Sequence, residues 1–162
     1  MIPKNWNSYL VVVASFLVAL VLSVYPLPIG WRWCRPEFVL LLSIYWILVF
    51  PLTISLFFLC GVGLFQDLLE GVPLGQHSLS LVIVAYICVL SYQRVRNFGL
   101  WKEAGWIFVL VGLAQLPANW VQTMAGRPLP GLMFLIPAFT SGLIWPVIRT
   151  AMDGVCRHYR IS

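Results

Sequence analysis

Apolar residues fall along this chain in long runs, separated by short clusters of Pro, Gly and charged residues. A helix needs about 20 mainly apolar residues to cross a bilayer. The runs predict six such helices, over residues 8–25, 36–50, 52–69, 78–93, 104–124 and 132–148. The first ends at Pro26 and Pro28, which cannot continue a helix. Pro36 suits the start of the second, because its missing N–H lies where a helix has no acceptor for it, and Glu37 beside it favours the positive end of the dipole. The apolar stretch 38–65 would measure about 42 Å as one helix, against a hydrocarbon core of about 30 Å. Pro51 stands near its middle, so the reading divides it there into two short helices. The segment 67–77 is a polar, glycine-rich connection. Gly126-Arg127-Pro128-Leu129-Pro130-Gly131 is a tight turn.

Composition agrees. Hydrophobic residues make up 61% of the 162 and charged residues 9%. Soluble domains carry about 25% charged residues, and a soluble fold of this length leaves too much surface in water to hide so much apolar area. The expected fold is therefore an all-α integral membrane protein, a compact six-helix transmembrane bundle forming a single polytopic domain over residues 1–162. The N-terminal run resembles a secretory signal but lacks a small-x-small cleavage pattern, so it reads as a retained first span.

The formal charge is +5. The basic residues sit at the ends of apolar runs and form no stripe with interleaved aromatics, which argues against nucleic-acid binding. They fit membrane topology, since cytoplasmic loops retain Lys and Arg. With six spans, Lys4, Arg94, Arg96, Lys102, Arg149, Arg157 and Arg160 share one side against Arg32, Arg35 and Arg127, seven to three. With five spans the split is eight to two and the N-terminus lies outside. Both versions make the 94–102 loop and the tail cytoplasmic. Span length and Pro51 favour six, with both termini cytoplasmic in an inner membrane.

Candidate chemistry is sparse. There is no G-x-S-x-G, H-E-x-x-H or P-loop, and neither histidine has a nucleophile beside it in sequence. Cys34, Cys60, Cys88 and Cys156 are far apart, so no metal site and no cofactor is expected, and Cys60 and Cys88 read as small apolar fillers. Asp67 and Glu70 would share a helix face. The favoured reading puts both among headgroups and water at a span end; the sharper one makes them a buried acid–base or cation site. Asp67 lies at the negative end of the third helix, where a carboxylate costs ~0.3–1 kcal/mol. It needs a compensating partner, and in the six-span reading Arg32 and Arg35 supply one. Gly71 and Gly75 read as turn residues with positive φ. Gln115, Asn119 and Gln122 make one face of the fifth helix polar. Interhelical hydrogen bonding explains that face more simply than a ligand groove does, and Pro117 is expected to kink it. Trp6, Trp31, Trp33, Trp101, Trp106 and Trp145 read as interface anchors.

Several pieces together carry a resemblance. They are Arg35-Pro36-Glu37-Phe38-Val39-Leu40-Leu41 running into Tyr45-Trp46, and Asp67-Leu68-Leu69 with Gly71, Leu74 and Gly75. Further on come Arg96-Asn97 with Leu100-Trp101, and Leu143-Ile144-Trp145-Pro146 before a basic tail. In order, spacing and chain length the sequence resembles the bacterial rod shape-determining MreD family, in its proteobacterial branch. The resemblance implies a six-helix fold similar to the S-components of energy-coupling-factor transporters, and no enzymatic activity. It implies a membrane scaffold that binds MreC within the elongasome, with MreB, RodA and its transpeptidase partner, and helps position lateral peptidoglycan synthesis. Arg35, Asp67, Gly71, Gly75, Arg94, Arg96, Gln115 and Asn119 are then the candidate partner-binding or structural residues, with membrane lipid the remaining contact. Two other classes compete. A vitamin-type binding subunit of a transporter would need a closed polar pocket. An enzyme on lipid-linked substrates would need convergent acids or a metal, for which only Asp67 and Glu70 present themselves.

Overall fold

The computed structural model describes residues 6–25, 35–51, 54–126 and 135–159. They form six helices and, among the described residues, no strand: α1 (Trp6–Val24), α2 (Phe38–Val49), α3 (Leu56–Glu70), α4 (Gln76–Val95), α5 (Leu100–Met124) and α6 (Ile136–His158). The break ahead of Pro51 is where the long apolar stretch was expected to divide. The last bond of α2 runs from the Phe50 N–H to the Trp46 carbonyl. Ser55 then caps α3 by accepting from the Phe57 N–H at 3.2 Å. Its side-chain oxygen satisfies a donor that the first helical turn leaves without a partner.

The end of α6 differs from expectation. The helix runs on past residue 148 to His158, because the charged residues that close the apolar run are spaced for a helix. The Arg149 Nε donates to Asp153 Oδ2 at 3.4 Å, and the Arg157 Nε to the Asp153 carbonyl at 3.2 Å. Such four-residue pairs support a helix whatever its hydropathy.

Helix α2 is the centre of the bundle. Every residue from Val39 to Leu48 is buried, and α1, α4 and α6 pack around it. Around this axis α3 packs on α4, α4 on α5 and α5 on α6. At 12 residues α2 spans only about 18 Å. Enclosure by neighbours makes that length tolerable, because its ends meet protein: the Glu37 N–H donates to Ser141 Oγ at 3.0 Å. Side-chain contacts bring Ser23, Glu37, Gln66, Glu70, His77 and Gln115 to one end of the bundle. Tyr45, Glu103, Arg149, Asp153 and Cys156 meet at the other. Consecutive helices therefore alternate in direction.

The outer faces are apolar. Leu17, Val18 and Val21 on α1, Phe57 and Leu68 on α3, Leu90 on α4 and Leu143 and Val147 on α6 all point outward. Soluble monomers rarely expose so continuous an apolar surface. Helices α4 and α5 are each long and apolar enough to cross a membrane. Trp101 is exposed, as an interface anchor requires, but Trp145 is not an anchor: it is fully buried and hydrogen-bonded inside the bundle. The Trp106 Nε1 is buried too, with no partner among the described residues. The side chains of Trp6, Trp31 and Trp33 lie outside the described residues, as do Cys34 and the 127–131 part of the expected turn.

Candidate functional site: two polar clusters that join the helices

The first cluster is built on the turn between α3 and α4. Gly71 closes α3 at φ 65°, and its N–H returns to the Asp67 carbonyl. Gly75 opens α4 at φ 97°. Both backbones lie in the left-handed region that only glycine enters without strain, as expected for these two positions. The chain thereby folds back over Asp67. The Asp67 carboxylate accepts the Gly75 N–H at 2.7 Å and the His77 N–H at 2.9 Å, and it meets the His77 Nδ1 at 2.8 Å.

Asp67 is 0% exposed. The expectation that it sits among headgroups and water is therefore corrected. Its partner is corrected as well. Arg35 donates instead to the Leu22 carbonyl at 2.8 Å, and Arg32 lies outside the described residues. The turn brings two amides and an imidazole to the carboxylate at short range, and these are its partners among the described residues. Glu70, one turn on, accepts from Ser23 Oγ at 2.6 Å and Gln66 Nε2 at 2.9 Å, and its other oxygen lies 3.7 Å from His77 Nε2. This joins α3 to α1.

Beside the turn, Gln115 of α5 donates its Nε2 to Glu37 Oε1 at 3.0 Å. The polar face of α5 thus serves interhelical bonding at Gln115. Asn119, one turn further, buries its Oδ1 without a partner among the described residues. Ser80 Oγ lies 2.8 Å from the Ala114 carbonyl. Glu37, Gln66, Gln76, His77, Ser80 and Gln115 line a cleft of about 20 Å³, room for roughly one water. A vitamin-sized ligand needs roughly 300–1,000 Å³, so this cleft does not support the transporter-subunit reading.

The second cluster lies at the far end. Trp145 Nε1 donates to Glu103 Oε2 at 3.2 Å, with Arg149 Nη1 3.5 Å from the same oxygen. Tyr45 Oη donates to Asp153 Oδ1 at 2.8 Å and lies 3.4 Å from Cys156 Sγ, while the Arg149 guanidinium stacks over its ring. Here α2, α5 and α6 are joined. Arg94 and Arg96 are exposed at the end of α4 and take no part in either cluster.

All five acids of the chain, Glu37, Asp67, Glu70, Glu103 and Asp153, are thus bonded between helices or across the α3–α4 turn. Asp67, Gly71, Gly75 and Gln115 come together as one neighbourhood, whereas Arg35 serves α1. Sequence reasoning missed His77, Glu103, Tyr45 and Asp153. Only the first had a usable signal, a histidine just past a Gly-x-x-x-Gly turn that begins near a buried acid.

Fold and site define a class: an all-helical bundle with apolar outer faces and carboxylates spent on holding its helices together. The family described as rod shape-determining protein MreD matches residues 4–155, nearly the whole chain, and the chain belongs to that family. The rod shape-determining protein MreD of Haemophilus influenzae is 29% identical over 150 residues, covering 93% of each chain. No solved structure matches. Membership gives the chain a role in rod-shape determination and associates it with the shape-determining machinery.

Proposed function

We propose that this chain is a non-catalytic, six-span scaffold of the bacterial inner membrane that binds MreC. Through MreC it helps position lateral peptidoglycan synthesis by the elongasome, with MreB, RodA and its transpeptidase partner. On this reading the bundle is similar to the energy-coupling-factor S-components, with the fold serving assembly. The observation that carries this reading is the engagement of all five carboxylates in joining the chain's own helices, beneath outer faces that remain apolar. In lipid, helices associate through packing and a few polar contacts, so an apolar face can take a partner's single span. The end that carries Arg94 and Arg96 faces the cytoplasm and its anionic lipid.

Depletion should turn rods into spheres while septation continues, and an MreC-like protein should accompany the chain from gently solubilised membranes. Depleted cells that stay rod-shaped would refute the scaffold reading. Topology has its own test. In a cysteine-free background, single cysteines replacing Gly30 and Leu74 should label from the periplasm, and one replacing Asn97 should not. Leu74 is exposed on the α3–α4 turn and avoids the strained Gly71 position. Labelling at only one of Gly30 and Leu74 would remove the six-span arrangement.

A further inference from the structure

The cleft between α2, α4 and α5 holds a buried acceptor that its neighbours' bonds do not reach. Gln66 directs its Nε2 to Ser23 and Glu70, and Gln115 directs its Nε2 to Glu37. The single Ser80 hydroxyl proton is taken by the Gln76 or Ala114 carbonyl. His77 turns its ring nitrogens to Asp67 and Glu70. The amide oxygen of Gln76 nevertheless lines the cleft, on a residue only 5% exposed, with no donor among the described residues. Glu37, whose second carboxylate oxygen takes no bond among the described residues, and Ser80 line the same cleft.

Charge points the same way. Glu37 lines the cleft, Asp67 and Glu70 stand behind it on the His77 imidazole, and no Lys or Arg lines it among the described residues. Even with His77 counted as a cation, these three carboxylates leave a formal surplus of two negative charges among the described residues of this neighbourhood. Buried charge in a bundle of this kind needs a counter-charge. The space suits a ligand the size of one water. Glu37 is only partly buried and gives the cleft an opening.

We propose that this cleft binds one monovalent cation, held by oxygens of Gln76, Glu37 and Ser80, and that the ion ties α2 to α4. Hard cations take carboxylate, amide and hydroxyl oxygens of this sort. The inference goes beyond the scaffold reading and does not depend on it.

The test uses the full chain, purified in detergent, unfolded by heat in sodium, potassium or choline chloride at equal ionic strength. Sodium or potassium should raise the midpoint saturably over choline. At about a hundredfold excess over Kd the rise should be roughly 5–10 °C for a chain of this length. Glu37→Gln and Gln76→Leu should each lose most of that rise. Radiolabelled sodium should bind the unmodified chain at a single ion per chain, a measurement that decides the matter if a variant fails to fold. Equal midpoints in all three salts, with no sodium bound, would mean that the cleft takes water only and would overturn the proposal. So would an unchanged sodium response in both folded variants.

Discussion

Asp67→Asn is expected to lower the unfolding midpoint of the purified chain steeply and to abolish rescue of rod shape in depleted cells. The carboxylate is fully buried and receives two backbone N–H groups and an imidazole nitrogen, all within 2.9 Å. Both of its oxygens are in use. Asparagine has one acceptor oxygen and must turn its amide N–H₂ toward a Gly75 donor or toward the His77 pair. It also removes the negative charge that faces the imidazole. Removing one partner of a buried charged pair typically costs about 3–5 kcal/mol. Glu70→Gln should be much milder. The glutamine oxygen can still accept from Ser23 and Gln66, and the residue is partly exposed. Thermal unfolding of the two variants side by side, with complementation at matched protein level, makes the comparison. If Asp67→Asn unfolds at the wild-type midpoint and restores rods, Asp67 does not organise the α3–α4 turn.

What the sequence made legible was local. Six apolar runs became six helices, Pro51 marked a break, and Gly71 and Gly75 took the left-handed conformations their setting asked for. Each depends on a few neighbouring residues. The close of α6 was misjudged because hydropathy falls at Arg149, although the four-residue spacing of Arg149, Asp153 and Arg157 continues the helix. The partner of Asp67 was sought in charge, among arginines, when the turn itself delivered nearer donors. The second cluster had no local signature. Glu103 and Trp145 meet 42 residues apart, and Tyr45 and Asp153 meet 108 apart. Trp145 was read as an anchor because its position near a span end suits both a headgroup layer and a polar partner within the bundle. Only the packing of α6 on α5 distinguishes the two.

The same limit applies to the glycines of α3, which the pattern of the chain does not tell apart. Gly61 and Gly63 lie two residues apart on one helix, yet they are expected to respond oppositely. A Cβ at Gly61 would meet nothing within 4 Å. Gly61→Ala should therefore leave packing intact and gain about 0.5–1 kcal/mol from reduced backbone freedom. A Cβ at Gly63 would collide with the Ser78 Cα and lie 2.6 Å from its backbone nitrogen. Neither obstacle is a side-chain end that can swing away, so α3 and α4 must separate. That separation would strain the short turn between them, and with it the Asp67 bonds to Gly75 and His77. Overpacking a well-filled site costs about 1–3 kcal/mol for a small addition, and occasionally more. Gly63→Leu, with three more carbons to place, should exceed Gly63→Ala and leave little folded protein in the membrane. Gly142 offers an intermediate case: its added Cβ would sit 3.2 Å from the Ala104 carbonyl oxygen and from the Phe108 Cβ, where α6 crosses α5. The expected order of midpoints is Gly61→Ala highest, then Gly142→Ala, Gly63→Ala and Gly63→Leu. A Gly63→Leu variant that accumulates and unfolds like wild type would show that α3 and α4 do not pack backbone to backbone at this point.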